Sequence, residues 1–538
     1  SSSSSSKLAP ASASVTVAVV VFLALLPCPA SSGSTSPPVD LLQRECLTVP
    51  SSQFVGSLRS TVEVLRQVGR VVSQFGSFVG DFRLSNAVSD CLDLLDFSAD
   101  ELSWSISATQ NPSGKHNSTG DLSSDLRTWL SAALANQETC RDGFEGTSGI
   151  AKTVISGSLN QISSLVTHLL TMVHPSSSSN SSAAAAAAGG KGPGRKLIDD
   201  SPRFPGWVRS GDRKLLQQAS GVAADLVVAQ DGSGNFTRVG DAVEAVPDYG
   251  TRRFVIYVKK GVYRENVEIK KKKWNIMMVG DGMDATVISG NRSFVDGWTT
   301  FRTATFAVSG RGFIARDMAF ENTAGPQKHQ AVALRSDSDL SVYYRCAIRG
   351  YQDSLYTHTM RQFYRECRIS GTVDFIFGDA VVVFQNCQIL AKRGLPNQKN
   401  TITAQGRKDP NQLTGFSLQF CNVSADSDLA PFVNSTPTYL GRPWKLYSRT
   451  IFMKSYMSNA IRPEGWLEWN DDFALDTLYY GEFMNSGPGA GLTGRVKWPG
   501  FHILNSTAQA NNFTVAQFID GNSWLPSTGV AYTAGLRV

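Results

Sequence analysis

Hydrophobic residues between positions 40 and 175 recur every three or four positions, the spacing that places them on one face of an α-helix. The runs Val62–Val72 and Val88–Leu95 show this spacing, and so do Leu122–Leu134 and Ile155–Val173. Four amphipathic helices in succession predict an all-α domain, an antiparallel four-helix bundle over residues 40–175. No combination of catalytic side-chain types stands out in this segment.

From Asp225 onward the pattern changes to short β-branched and aromatic runs separated by Gly, Asn and Asp, which is typical of strands. A motif of Cys, any residue and an aliphatic residue recurs at spacings of 21, 20 and 34 positions. It begins at Cys346, Cys367, Cys387 and Cys421. Such a repeat predicts an all-β parallel β-helix whose coils stack on one another, with an inserted loop before the last motif. A β-sandwich is the alternative, but it does not predict the repeat.

Two segments indicate transport and processing. Lys7, an apolar stretch and a run of small residues predict a signal peptide over residues 1–30. An uncleaved signal anchor remains an alternative. Residues 176–218 are rich in Ser, Ala and Gly and predict a linker between the two domains. Two basic doublets in it, Arg195-Lys196 and Arg213-Lys214, are candidate protease sites, although solvated linker charges would also explain them.

The N-x-[S/T] motifs suggest a secreted glycoprotein, because a single motif arises by chance but this density does not. They begin at Asn117, Asn180, Asn235, Asn291, Asn422, Asn434, Asn505 and Asn512. Eight cysteines in 538 residues are too few for a disulfide scaffold but can form some bridges in an oxidising compartment.

The net charge of +6 lies entirely in residues 221–538, which contain 34 Lys and Arg against 28 Asp and Glu. This excess is too small to indicate a nucleic-acid-binding protein. A field of one sign on one domain favours a polyanionic partner such as an acidic polysaccharide, although ordinary surface solvation is the alternative.

Polar residues are concentrated between positions 330 and 379. Asp353 and Asp374 are 21 positions apart, one coil of the repeat, so we expect them side by side at about the 4.8 Å spacing of adjacent strands. Paired carboxylates can divide their roles, one protonated as an acid and the other ionised as a nucleophile. The amides of Gln330 and Gln352 could stabilise an oxyanion. Taken singly, each residue could equally be a turn or surface residue.

Arg442 is a candidate to hold one aspartate ionised, and Trp444 could stack against a sugar ring. The chain has no G-x-S-x-G motif, which argues against a serine esterase. It has no C-x-x-C pair and no cluster of histidines, so a zinc site is not expected.

Five segments together resemble the plant pectin methylesterase (pectinesterase) family, in the form that carries an inhibitor-like pro-region. They are GVYRE at 261–265, QAVAL at 330–334, QDSL at 352–355, DFIFG at 374–378 and LGRPW at 440–444. The resemblance covers residues 222–536 and implies a right-handed parallel β-helix without a metal or organic cofactor. It implies hydrolysis of galacturonate methyl esters in pectin, releasing methanol and pectate during modification of the plant cell wall.

The resemblance also implies individual roles. Asp374 is the nucleophile, Asp353 the general acid and then base, and Arg442 the partner of Asp374. Gln352 and Gln330 stabilise the oxyanion. The sugar groove is lined by Thr300, Gln330, Phe375, Arg442 and Trp444. A pectate lyase or polygalacturonase of the same fold, and an inhibitor or wall-binding protein with a decayed site, remain alternatives.

The helical segment resembles the pectin methylesterase inhibitor family in Asp90–Leu95 and Trp129–Cys140. This resemblance implies a Cys91–Cys140 disulfide. Cys346–Cys367 and Cys387–Cys421 are further candidate pairs, with buried free thiols as the alternative. The expected partners are pectin, a proteinaceous inhibitor and a processing protease, with no nucleic acid. The expected product is a secreted, monomeric protein of the cell wall.

Overall fold

The structure is a computed structural model that describes residues 46–77, 81–111, 119, 121–147, 150–174 and 223–536. The predicted signal peptide lies outside the described residues, and so do the linker and its two basic doublets. Within these ranges, no helix is both long enough and apolar enough to cross a bilayer.

The first part of the chain forms the predicted helical domain, called here the helical region (46–174). Its helices are α1 (Ser51–Ser73), a 3₁₀ turn (Gln74–Ser77), α2 (Phe82–Gln110), α3 (Leu122–Gly143) and α4 (Ile150–Thr171). Asp81 and Asp121 cap α2 and α3, because each carboxylate accepts a hydrogen bond from a backbone N–H of the first turn. A disulfide between Cys91 and Cys140 joins these two helices.

Periodicity explains which faces of the helices are buried. Leu58, Leu65 and Val72 of α1 lie on one side and are at most 2% exposed. They pack in one apolar cluster with residues of the other three helices, Leu130 and Leu159 among them. Burying such stripes supplies most of the stability of a bundle, because helix propensity contributes little.

Residues 223–536 form a stack of short strands, called here the β-helix region. In chain order the strands are β1 Leu226–Val228, β2 Phe254–Val258, β3 Gly261–Arg264, β4 Val267–Ile269, β5 Ile276–Val279, β6 Thr286–Gly290, β7 Phe306–Val308, β8 Ile314–Arg316, β9 Ala319–Asn322, β10 Leu334–Ser336, β11 Ser341–Tyr344, β12 Ala347–Arg349, β13 Leu355–Thr357, β14 Arg361–Arg365, β15 Arg368–Gly371, β16 Ile376–Gly378, β17 Val381–Gln385, β18 Gln388–Ala391, β19 Asn400–Gln405, β20 Gly415–Gln419, β21 Asn422–Ala425, β22 Thr438–Gly441, β23 Arg449–Met453, β24 Tyr456–Met457, β25 Tyr479–Phe483 and β26 Phe501–Ile503. Short helices follow at its ends: α5 Val239–Glu244, α6 Thr507–Asn511, α7 Val515–Phe518 and α8 Gly521–Trp524. The 3₁₀ turns are Thr300–Thr303, Pro326–Lys328, Ala430–Phe432, Pro488–Ala490 and Leu525–Thr528.

The strands form three parallel sheets, as in a parallel β-helix. One sheet runs β1-β2-β5-β8-β11-β14-β17-β20-β23-β25-β26, the second β22-β19-β16-β13-β10-β7-β4, and the third β24-β21-β18-β15-β12-β9-β6-β3. Neighbouring strands in a sheet come from successive coils, and the central coils contribute one strand to each sheet. The large apolar core lies between the sheets.

The cysteine repeat marks the register of the coils. Ala347 pairs with Arg368, Arg368 with Gln388, and Gln388 with Asn422, so the residues after the four cysteines align. The residue before each cysteine has a positive φ of 50–57°, where the chain turns from the first sheet into the third. The inserted loop of the last interval therefore lies outside the ladder.

The four cysteines of the ladder are buried free thiols, so neither Cys346–Cys367 nor Cys387–Cys421 is bridged. Each side chain points into the apolar core between the sheets, where it packs as a small hydrophobic residue. The structure thus contains the alternative to these two candidate pairs, whereas Cys91 and Cys140 are bridged as the resemblance implies.

The helical region lies against the second sheet of the β-helix region. Phe301, Val332, Tyr356, Phe377 and Ala404 belong to the same buried apolar cluster as the core of the helices. The contact also contains a fully buried ion pair, in which Arg361 Nη1 lies 2.7 Å from Asp125 Oδ1 of α3. This contact positions the helices beside the site described next.

Candidate active site

Asp353 and Asp374 occupy matching corners of adjacent coils, as the spacing predicts. Leu355 pairs with Ile376, and the backbone N–H of Asp353 donates to the carbonyl of Val373 at 3.1 Å. Both aspartates have positive φ, 62° and 50°. Asp tolerates this left-handed conformation better than most residues do, so the corner and the site use the same side chains.

Three donors fix the carboxylate of Asp374. Arg442 donates from Nε to Oδ1 at 2.9 Å and from Nη2 to Oδ2 at 2.6 Å, a bidentate pair. The hydroxyl of Thr401 donates to Oδ1 at 2.6 Å and accepts from the backbone N–H of Asp374 at 2.9 Å. The guanidinium of Arg442 in turn lies 4.2 Å from the centre of the Trp469 ring. Asp374 is therefore held in one orientation beside a fixed positive charge.

Asp353 has the opposite environment. Burial raises its pKa well above the ordinary value, and the neighbouring charge of Asp374 raises it further, against a smaller opposing effect of Arg442. Two carboxylates in one cleft rarely ionise together, and Arg442 pairs directly with Asp374. The arrangement therefore favours a protonated Asp353 beside an Asp374 whose carboxylate is paired with Arg442.

Both carboxylates open into a cavity of about 240 Å³. Its lining includes the predicted residues Thr300, Gln330, Gln352, Arg442 and Trp444. A wider, open depression of about 850 Å³ begins at Gln352, Arg442 and Trp469, which line both spaces. A chain molecule could therefore lie across the carboxylates and extend to one side.

The structure corrects one predicted groove residue. Phe375 is fully buried in the core of the β-helix region and does not line the cavity, whereas Phe377 does. The left-handed turn at Asp374 interrupts the alternation of side chains, so Phe375 and Ile376 both point inward. Alternation resumes in β16, which directs Phe377 outward.

Further site residues were not identified from the sequence. Tyr356 lines the cavity, and its ring stacks on that of Phe377 at 4.1 Å. The alternation in QDSLY and DFIF could have indicated both, because Leu355 and Ile376 face the core. Thr401 and Trp469 gave no signal, since Thr401 comes from the next coil, after an inserted loop, and Trp469 lies in a loop that sets its distance from the site. Within the described residues, no group of His, Cys, Asp and Glu is placed to hold a metal ion.

The helical region closes one side of the cavity. Thr139, Asp142, Gly143 and Glu145, at the end of α3 and just beyond it, belong to its lining. The hydroxyl of Thr139 lies 3.2 Å from that of Tyr356 and 2.8 Å from Nε2 of His358. Burial, with the charge of Arg335, lowers the pKa of His358 well below its ordinary value, so this ring is neutral.

Comparisons with known proteins agree with this architecture. Residues 225–522 match the family model described as pectinesterase, and residues 43–173 match that described as plant invertase/pectin methylesterase inhibitor. A pectinesterase/pectinesterase inhibitor of Prunus persica is 70% identical over 93% of this chain and 92% of its own. A probable pectinesterase/pectinesterase inhibitor of Arabidopsis thaliana is 67% identical over 92% and 96%.

Solved structures resemble the β-helix region. The pectin methylesterase from carrot is 55% identical, with a TM-score of 0.59, over 59% of this chain and 100% of its own. That of Aspergillus niger is 29% identical, with a TM-score of 0.50, over 57% of this chain and 97% of its own. With both family models matched in order, the chain belongs to the pectinesterase family and is a plant-type pectin methylesterase with an N-terminal inhibitor-like region.

Proposed function

We propose that this pectinesterase hydrolyses the methyl esters of galacturonate units with Asp374 as nucleophile and Asp353 as general acid and then base. The observation that supports this most strongly is the contrast between the two carboxylates. Asp374 is clamped by Arg442 and Thr401, whereas burial and its neighbour raise the pKa of Asp353. One group is ready to attack and the other to give a proton.

In the first step, the Asp374 carboxylate attacks the carbonyl carbon of the ester and forms a tetrahedral oxyanion. The amide groups of Gln330 and Gln352 line the cavity and can donate hydrogen bonds to this oxygen. The intermediate collapses, the bond to the methoxy group breaks, and Asp353 protonates the departing methanol. The product of this step is a mixed anhydride between Asp374 and the sugar acid.

In the second step, the ionised Asp353 takes a proton from water, and the hydroxide formed attacks the carbonyl carbon of the sugar acid. The bond to Asp374 breaks, which releases the free galacturonate and restores the Asp374 carboxylate. Asp353 ends the cycle protonated, and the released acid then ionises by giving its proton to the solvent. The rings of Trp444, Phe377 and Tyr356 form the apolar part of the cavity, suited to one face of a sugar.

Replacement of Asp374 tests this assignment. The full chain is given an engineered protease site between residues 176 and 218, folded, and cut, and methanol release from methyl-esterified pectin is measured. Asp374→Asn should lower the rate at least about a thousandfold, because an amide is a poor nucleophile. Asp317→Asn is the matched control, since Asp317 also has a positive φ and an arginine partner, Arg345.

Equal activity of the Asp374→Asn and control proteins would refute the nucleophile. New reducing ends, or a rapid fall in viscosity without methanol, would instead indicate cleavage of the polymer backbone. Either result leaves the family membership intact and changes only the residue roles or the bond attacked.

We propose further that the helical region keeps the enzyme inactive until it is removed during secretion to the cell wall. The lining contributed by Thr139, Asp142 and Glu145 supports this, because these residues occupy space beside the catalytic aspartates. The basic doublets at 195–196 and 213–214 are the proposed cleavage sites, and the released product is proposed to act as a monomer. Methanol release should rise at least about tenfold on cutting, and equal rates before and after would refute inhibition.

A further inference from the structure

The described ion pairs between the helical region and the β-helix region all have the same polarity. In the described residues, the acid always belongs to a helix and the base always to the β-helix region. A surface shaped only for adhesion would commonly mix both signs. One-sided pairing shows that the helices cover a cationic surface with carboxylates.

Helix α2 presents its carboxylates as a row. Asp90, Asp93, Asp96 and Asp100 are spaced three, three and four residues apart, so they lie on one face over about 15 Å of helix axis. Lys271 Nζ lies 2.5 Å from Asp96 and 2.6 Å from Asp100. Arg302 pairs with Asp93 at 2.8 Å and with Asp90.

The end of α3 pairs with two further bases. Lys408 Nζ lies 2.5 Å from Glu138, and Lys445 Nζ lies 3.1 Å from Asp142 and 3.6 Å from Glu138. The charges of Lys445 and Lys408 outweigh the effect of burial and lower the pKa of Glu138. This carboxylate is therefore ionised in the contact.

Two of the four bases, Arg302 and Lys445, adjoin residues that line the catalytic cavity on opposite sides. Arg302 belongs to the same 3₁₀ turn as Thr300, and Lys445 follows Trp444, with its Nζ 5.1 Å from that ring. Lys271 follows β4 and Lys445 follows β22, the two end strands of the second sheet. Six strand spacings separate those ends, about 29 Å, and β13 and β16 with their aspartates lie between them.

Removal of the helical region would leave these charges without their partners. In the full chain the four side chains are only 19–32% exposed, and each is paired with an acid of α2 or α3. Without the helices they would form a cationic rim around an active site. A linear polymer with one carboxylate per sugar is the kind of ligand that matches such a rim.

We propose that this cationic rim (Lys271, Arg302, Lys408 and Lys445) binds the free carboxylates of de-esterified galacturonan next to the reacting unit. In the full chain, the acidic rows of α2 and α3 occupy the rim in place of the polymer. The proposal rests on the proposed function for its ligand class. It explains why the net positive charge lies in residues 221–538 and why the helical partner is acidic at this contact.

The test compares binding to immobilised, fully de-esterified polygalacturonate. The full chain with its engineered site is cut after folding, and the β-helix region is isolated. The whole carrot chain aligns with 59% of this chain, a length close to that of residues 223–536, so such a region folds without a helical partner. We expect the cut protein to bind at low salt and the uncut chain to bind at least about tenfold more weakly.

The test variant is Lys271→Gln combined with Lys445→Gln, and the control is Lys260→Gln combined with Lys497→Gln. Lys260 and Lys497 are exposed and form no ion pair in the described ranges, so both variants remove the same charge. The rim variant should bind polygalacturonate about three- to thirtyfold more weakly, because it loses two exposed charge pairs with the polymer and their effects on the binding constant multiply. The control should stay within about twofold.

Equal losses of polygalacturonate binding in the two variants would overturn the proposed role of the rim, because only the overall charge of the protein would then matter. Failure of the unaltered cut protein to bind polygalacturonate would also overturn it. Methanol release from esterified pectin is measured on the same preparations. Methanol release without polygalacturonate binding refutes the rim and leaves the proposed function standing, whereas rim-dependent binding without methanol release refutes the proposed function and supports the rim.

Discussion

Thr401 orients Asp374 without needing to touch the substrate itself. Its hydroxyl both donates to Oδ1 of Asp374 and accepts from the backbone N–H of the same residue. It therefore couples the orientation of the carboxylate to the left-handed turn that carries it. A fully buried hydrogen bond to a charged group contributes about 1.5–3 kcal/mol.

We predict that Thr401→Val lowers kcat about ten- to a hundredfold and changes KM little, because valine keeps the shape and removes the hydroxyl. Thr401→Ser should restore most of the rate, since it keeps the hydroxyl. Methanol release at saturating and limiting pectin measures both constants. If serine and valine were equally impaired, the methyl packing of Thr401 would matter and its hydrogen bond would not.

Some residues of the site could be predicted from the sequence and others could not. Asp353, Asp374, Arg442 and Trp444 lie in short, ordered motifs, so a repeat of 21 positions was enough to predict that the two aspartates are neighbours. The groove phenylalanine was placed at position 375 by the family resemblance and not by strand alternation, which, continued from Asp374, would direct Phe375 inward and Ile376 outward. A positive φ at one residue shifted that alternation, and backbone conformation of this kind is not written in the residue types.

At the scale of elements, the end of β22 depends on a close approach to β19. A Cβ added at Gly441 would lie 2.1 Å from Oγ1 of Thr403 and 2.7 Å from its carbonyl oxygen. The next residue is Arg442, which clamps Asp374. Any displacement that relieves the clash therefore moves the guanidinium that holds Asp374.

We predict that Gly441→Ala lowers the free energy of unfolding by about 1–3 kcal/mol and lowers methanol release as well. Gly491→Ala is the control, because no atom lies within 4 Å of the Cβ it would add. Thermal unfolding and activity are measured on both. Unchanged stability and activity in Gly441→Ala would mean that β22 can move away from β19 without disturbing Arg442.

The helices and the strand repeat were largely predictable from the sequence, but the contact between the helical region and the β-helix region was not. Helical periodicity in 40–175 and the coil repeat after Asp225 both arise because side chains that face a core are apolar. Patterns of this kind can be read directly from the order of residues. Docking of α2 and α3 on the second sheet depends on surface complementarity between segments 171 to 303 positions apart, and Asp125 and Arg361 are one such pair. Neither residue belongs to a periodic pattern that pairs it with the other.

At the scale of the whole molecule, Asp90 makes the contact between the two regions depend on pH. Burial raises its pKa from 3.8 to about 6, against smaller lowering effects of Arg302, Thr299 and Arg335. Thr299 and Arg302, which contact this carboxylate, belong to the β-helix region, so we expect Asp90 to regain its ordinary pKa once the regions separate. Between pH 3.8 and 6 the joined state therefore holds a proton that the separated state does not, so attachment weakens as the pH rises through this window.

We predict that the cut chain stays joined more tightly at pH 4.5 than at pH 7.5, with a difference on the order of 2 kcal/mol from Asp90. The pKa values of Asp93 and Asp142 are also raised by burial, so these groups act in the same direction. Size-exclusion chromatography of the cut chain at both pH values measures the joined fraction. Asp90→Asn should remove much of the difference, because an amide does not titrate, and an unchanged difference would assign it to other groups.

The proposed processing during secretion has a further requirement, because the helical region would have to leave a contact that contains a fully buried ion pair. Cutting the linker turns an attached partner into a free one and removes the high effective concentration that holds it in place. We predict that replacing both doublets, Arg195-Lys196 and Arg213-Lys214, with glutamine leaves an uncut precursor inside the cell. Replacing either doublet singly should still allow cutting at the other. N-terminal sequencing and methanol release of the secreted fraction measure this, and normal export of active, shortened enzyme from the double variant would show that the chain is cut elsewhere.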